Sequence, residues 1–125
     1  MRYLCLVYYD EKNLDALSKS EYDALVGEAL AYREVLRTSG HYLVSDGLQS
    51  VQTATTIRIR NGKVSLTDGP FAETKEQLGG FMLIEARDLN DAIRVASKIP
   101  PVRLGCIEVR PLRELAALAE EARRP

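Results

Sequence analysis

Between Thr67 and Glu76 the chain reads T-D-G-P-F-A-E-T-K-E. Three carboxylates (Asp68, Glu73, Glu76), a hydroxyl (Thr74) and an ammonium (Lys75) fall within a few residues of one another. Carboxylates serve general acid–base work, and a lysine can clamp an anion. Asp68 stands where a strand gives way to a loop, a common position for a functional carboxylate. Gly69 before Pro70 makes a stiff, sharp corner, because proline fixes its own φ and restricts its predecessor. Phe71 then serves as a loop anchor or as one wall of a pocket. On this reading Asp68 is the acid/base, and Gly69, Pro70, Phe71, Glu73, Thr74, Lys75 and Glu76 bind the ligand. The same composition suits a solvated loop in which Asp68 caps turn amides, and spacing alone does not separate the two.

The single histidine, His41, follows the glycine that ends the first long helix. It is a solvent-facing loop residue unless the fold carries it to Asp68, where it would act as a general base near neutral pH. One histidine and two distant cysteines do not make a zinc site, which needs three or four ligands, so no metal and no cofactor is expected. Ser39, Ser45 and Ser50 lie in no nucleophile-elbow context. Gly79-Gly80 lead into a strand rather than a helix, which argues against a phosphate loop.

The elements that must position these residues are legible in the pattern. Arg2–Tyr9 alternates as a strand. Ser18 and Glu21 form a capping box, followed by the stripe Tyr22, Leu25, Val26, Ala29, Tyr32 and Leu36, closed by Gly40. His41–Leu48 and Thr53–Arg60 read as strands, Asn61-Gly62 as a two-residue hairpin turn, and Lys63–Asp68 as the return strand. Gly80–Ala86 is apolar on both faces. Asp88 or Asn90 caps a second helix that Pro100-Pro101 stops, Gly105–Arg110 is a last strand, and a C-terminal helix follows from Pro111.

The order β-α-β-β-β-β-α-β-α predicts an α+β fold. It has a ferredoxin-like βαββαβ core, one extra strand and an appended helix, in a single domain over 1–125. Both helices cover one face of the sheet. Yet Leu4, Leu6 and Tyr8, and Phe81 and Leu83, make the other face apolar too, and strands of that kind need both faces covered. A second copy packed sheet on sheet is the expected cover, with the C-terminal helix of the same chain as the rival. Tyr8 and Arg58 would line a cavity between the two sheets.

A net charge of -1 and the lack of a basic stripe argue against a nucleic-acid partner. No apolar run approaches the roughly 20 residues of a membrane span, and the N-terminus reads as a strand rather than a signal peptide. Cys5 and Cys106 are expected to be reduced and buried, on neighbouring strands that keep a close thiol pair open. The expected compartment is the cytoplasm.

The run D-G-P-F-A-E-T-K-E-Q-L-G-G-F, Asp68 to Phe81, resembles the signature of the DGPF proteins, a branch of the YCII-related family. The opening M-R-Y-L-C-L-V-Y, the stretch G-L-Q-S-V-Q-T-A-T-T-I-R-I-R-N-G-K and the late I-E-V-R-P-L are also similar to the family pattern. The resemblance implies a dimeric α+β barrel and a small-molecule-binding protein or acid–base enzyme of unknown substrate. In the family's better-described branch the implied pair is a helix histidine and an aspartate near a Gly-Pro turn. Asp68 is the counterpart of that aspartate. Ser20 to Gly40 holds no histidine, so His41 is the substitute from the helix end. The resemblance also implies, as an alternative, a regulatory module linked to an extracytoplasmic-function sigma factor system.

Overall fold

Strand β1 (Arg2–Tyr9) sets the frame, because it pairs on both sides. Its odd positions, Tyr3, Cys5, Val7 and Tyr9, are buried, while Leu4, Leu6 and Tyr8 are half-buried on the opposite face. The computed structural model, which describes residues 1–125, places β5 (Gln77–Glu85) and β6 (Gly105–Pro111) antiparallel to β1 on either side. Strand β2 (Tyr42–Gly47) pairs antiparallel with the outer edge of β5, giving the order β2-β5-β1-β6. With α2 (Lys19–Thr38) between β1 and β2, and α3 (Leu89–Ala96) between β5 and β6, this is the ferredoxin-like βαββαβ core.

The insertion is two strands rather than one. Strands β3 (Thr55–Arg60) and β4 (Lys63–Asp68) form a separate hairpin outside the four-stranded sheet. Asn61 (φ 52) and Gly62 (φ 76) supply the two positive angles that its tight turn needs. Ile57 lies opposite Leu66 and Ile59 opposite Val64, so one face of the hairpin is apolar. All four are exposed.

Both main helices lie on the Tyr3–Cys5–Val7–Tyr9 face, but they pack unequally. Helix α3 buries Ala92, Val95 and Ala96 against Cys5 and Ile84, and Asp88 caps its start by accepting from the Asp91 amide. Helix α2 has the full capping box at Ser18 and Glu21, yet it buries only Leu25 and Leu36. Tyr22, Val26 and Leu30 on the same helix are exposed. The expected apolar stripe is therefore half used, and a space opens between the middle of the helix and the sheet.

Three further details differ from expectation. The polar D-E-K-N run is not a simple strand end: Asp10 accepts from the Lys12 amide and starts a short helix, α1 (Glu11–Asp15). The C-terminal helix α4 (Leu115–Ala122) buries none of its residues, so it does not cover the open face of the sheet. Cys5 is buried but Cys106 is exposed. Although β1 and β6 are neighbours, Cys5 faces Val109 and Cys106 faces Tyr8 in the ladder, so the two thiols do not pair.

Candidate functional site

Strand β5 begins at Gln77, earlier than its glycines had implied, so the loop is Gly69–Glu76. It is held by its own ties. The Gly69 amide donates to Ala54 O at 2.7 Å, Thr56 Oγ1 donates to Gly69 O at 2.8 Å, and Arg58 donates to Phe71 O at 3.4 Å. Within the loop Thr74 Oγ1 donates to Glu76 O at 2.5 Å. Gly69 has φ +102, a conformation that L side chains rarely adopt. Gly69 and Pro70 are half-buried, whereas Asp68, Phe71, Glu73, Thr74, Lys75 and Glu76 are exposed. Phe71, at 82% exposure, neither anchors the loop nor walls a pocket in the chain. Lys75 forms no ion pair with the loop's carboxylates, and none of these side chains lines the cleft described below.

His41 does not reach Asp68 either. Its carbonyl accepts from the Glu85 amide at 2.8 Å, at the far end of β5 from Gln77. The nine residues of that strand, at about 3.3 Å each, separate it from the loop's exit. The base of the hairpin is tied to the Gln77 end through Glu11, whose carboxylate accepts from Ser50 Oγ at 2.8 Å and from the Val51 amide at 3.0 Å.

His41 instead joins a different cluster. Its Nε2 lies 3.0 Å from Asp91 Oδ2 and its Nδ1 lies 2.7 Å from Ser39 Oγ. Asp91, a buried carboxylate, also accepts from Arg94 at 2.7 Å and from the Arg87 amide at 3.1 Å. Arg94, then the Arg87 amide and His41, hold the Asp91 carboxyl well below the usual carboxylate range. This cluster ties the end of α2 to the start of α3. Ser39 sits at the C-terminal end of α2 and itself donates to Leu36 O. The backbone carbonyls there disfavour an oxyanion, so the Ser–His–Asp line is a structural clasp.

The enclosed space lies elsewhere, between α2 and the sheet, at the Tyr9 and Gly79 end. The cleft holds about 360 Å³ and is mostly apolar in lining. Its walls include Tyr22, Ala29 and Arg33 of α2, Tyr9 and Met82 of the sheet, and Pro100 after α3. Its shape depends on one residue. In the β1–β5 ladder Val7 faces Gly80 and Tyr8 faces Leu78, so Gly79 is the extra residue of a β-bulge. The Tyr9 ring lies against Gly79, donating to its carbonyl at 3.4 Å, where any Cβ would collide with the ring.

Titratable groups in the cleft are few. Burial pushes the Tyr9 phenol up, helped by Glu11, and burial likewise raises Tyr32, so both stay protonated as hydrogen-bond donors. Tyr32 already donates to Val95 O at 2.6 Å. Arg33 Nη2 makes a long contact of 3.4 Å to Ser45 O, and its Nε is buried with no hydrogen-bond partner. Tyr8 and Arg58 do not line this cleft. No group of three or more His, Cys, Asp or Glu side chains could hold a metal ion.

Sequence reasoning missed Arg33, Asp91 and the role of Gly79. Arg33 sits on the apolar side of the α2 pattern, next to Tyr32, and that misplaced charge was the available signal.

Against known proteins, a family model described as "YCII-related domain" matches residues 1–116. An "Uncharacterized protein R00369" of Rhizobium meliloti (strain 1021) is 36% identical over 114 residues, covering 90% of this chain and 92% of that protein. Among solved structures, 5-chloro-2-hydroxyhydroquinone dehydrochlorinase (TftG) from Burkholderia phenoliruptrix AC1100, in complex with 2,5-dihydroxybenzoquinone, superposes with a TM-score of 0.49. It is 17% identical, with 90% of this chain and 94% of that one covered.

Proposed function

The chain belongs to the YCII-related domain family, and we propose that it is a small-molecule-binding protein whose site is the cleft under α2. The observation that carries this reading is the unfilled apolar stripe. Tyr22, Val26 and Leu30 are exposed on a helix whose neighbours Leu25 and Leu36 are buried, and the space they face falls within the volume range of ligand pockets. The reading includes the DGPF branch of the family, on the support of the Asp68–Phe71 signature. The Asp68–Glu76 loop enters the reading as the rim, since it runs into Gln77 and Leu78 just before the glycines of the cleft wall. Asp68 is then a second-site candidate, without His41 as its partner. The regulatory alternative finds no support in the comparisons.

The reading also includes a homodimer and a cytoplasmic setting. The half-buried Leu4, Leu6, Tyr8, Phe81 and Leu83 form one apolar sheet face that α4 leaves open, and a second copy of the same face would bury it. The unpaired thiols are consistent with a reducing compartment. No helix is long and apolar enough to cross a membrane.

The test is a thermal-shift screen of a metabolite library on the protein and on Ala29→Phe, which fills the cleft. Ligands that bind only the folded state raise its midpoint, and the expected hits lose their effect in the variant. Hits that stabilise both proteins equally would move the site away from the cleft; if Asp68→Asn abolished them, the loop would become the site.

A further inference from the structure

Arg33 is the one arginine near the cleft without a carboxylate. Arg37, one turn on, pairs with Glu34 at 3.1 Å and lies over the Tyr42 ring at 4.6 Å. Arg94 pairs with Asp91 and Arg103 with Glu28. No carboxylate stands within ion-pair distance of Arg33. Its Nε is nonetheless buried and unpartnered, in a residue that forms part of the cleft wall.

A buried donor with no acceptor carries its full desolvation penalty, and native structures contain few. The Arg33 side chain as a whole is half-buried, with its guanidinium 5.7 Å from the centre of the Tyr42 ring and no counter-charge. The only nearby carboxylate that contributes to the wall is Asp46, which is exposed and accepts from its neighbouring Gly47 amide at 3.0 Å. Burial holds the Tyr9 and Tyr32 phenols protonated, so neither supplies the missing negative charge. The chain itself thus offers Arg33 no counter-charge at this wall, and an anionic ligand in the cleft would supply one.

The remaining lining fixes what else that molecule carries. Tyr9, Tyr22, Tyr32, Met82 and two prolines offer flat, apolar and polarizable surface. The Nε–Nη2 edge of a guanidinium suits a planar two-oxygen anion, which it can hold through two parallel hydrogen bonds. Nη2 is only weakly engaged by Ser45 O; Nε has no acceptor but is covered in the free protein, so the second bond forms only once the ligand has displaced what covers it.

Building on the cleft reading above, we propose that its ligand is an aromatic carboxylate, with the acid group on the Arg33 guanidinium and the ring against the tyrosines. An aromatic phenolate shares the ring and the charge but offers one oxygen, and it ranks below the carboxylate for this edge. Binding is read as a ligand with a charge at one end and an apolar body at the other.

The experiment uses three probes on the intact protein: 2-naphthoate, its neutral analogue 2-naphthylmethanol, and 2-naphtholate as the one-oxygen anion, the comparison with 2-naphtholate being made at about pH 10.5, where a naphthol is ionised. Affinity is measured by isothermal titration for the unmodified protein, Arg33→Met, Arg33→Lys and Ala29→Phe, with circular dichroism to establish that each variant is folded. We expect 2-naphthoate to bind about tenfold or more tightly than 2-naphthylmethanol. Arg33→Met should remove that advantage and leave the neutral probe unchanged. Arg33→Lys should keep part of it, since charge survives and the planar edge does not.

If 2-naphthoate and 2-naphthylmethanol bind equally, and Ala29→Phe blocks both, the cleft reading stands and the carboxylate class is overturned. If 2-naphtholate outbinds 2-naphthoate, the ligand class moves to the phenolate. If no probe binds, or binding survives Ala29→Phe, the cleft reading itself fails and this proposal with it. Should Arg33→Met fail to fold, Arg33→Lys alone decides: an unchanged preference for naphthoate over 2-naphtholate overturns the two-bond geometry.

Discussion

Two regions divide the properties of a binding site between them. The Gly69–Glu76 loop has the side chains that chemistry uses, and Glu73, Thr74, Lys75 and Glu76 are all exposed. The cleft under α2 has few ionisable groups, but it encloses space and keeps a cationic donor without a partner. Residue type is a local property of a sequence, whereas convergence depends on pairings between distant strands. The loop's charged residues line no part of the cleft, and the ties at Gly69 and Phe71 run to Ala54, Thr56 and Arg58.

If the cleft is the built region and the loop the solvated one, substitutions should cost most around the first. Gly79→Ala is expected to be the most damaging, because a Cβ there meets the Tyr9 ring. Overpacking of this kind costs about 1–3 kcal/mol, read as a lower urea midpoint at unchanged slope. A loss no larger than for a surface site would show that the ring is free to move and that the cleft wall is soft.

Asp91→Asn comes next, and its effect should depend on pH. The folded-state carboxyl is held below its ordinary value, chiefly by Arg94, so its contribution is fully present above the unfolded value near pH 4. It is lost as pH falls through the folded value. The stability gap between the protein and the variant should therefore be constant at neutral pH and should narrow in acid. Denaturant melts at pH 7, 4 and 2 check this, and a gap that does not change with pH would break the assignment.

Thr56→Val removes the hydroxyl that donates to Gly69 O and is expected to cost about 1 kcal/mol. It should loosen the loop without changing ligand binding in the cleft. A loss of binding would join the two regions that the comparison keeps apart. The smallest effects belong to Glu73→Ala and Lys75→Ala, each within about 0.5 kcal/mol. Larger values in a denaturant melt would mean that the loop's charges are engaged by another copy or another molecule.

The sequence made the ladder of elements readable because each has a strong local signal. The Ser18–Glu21 capping box, the Asn61-Gly62 turn and the two-faced alternation of Arg2–Tyr9 all appear as expected. The start of β5 did not, since Gly79 and Gly80 have little strand preference. They join the strand because β1 pairs with Gly80, the Leu48 amide donates to Gly79 O, and the Tyr9 ring lies against Gly79. The clasp at Asp91 was hidden for a similar reason: His41 and Asp91 are fifty positions apart, and no spacing rule connects them. The cleft was partly legible. The α2 stripe was visible, but whether it meets the sheet or stands off from it depends on packing along the whole helix.

The hairpin β3–β4 has a different consequence. It contributes no rung to the four-stranded ladder and is entered and left at one end of that sheet. Shortening or lengthening it at the Asn61-Gly62 tip should therefore leave the register of the ladder intact.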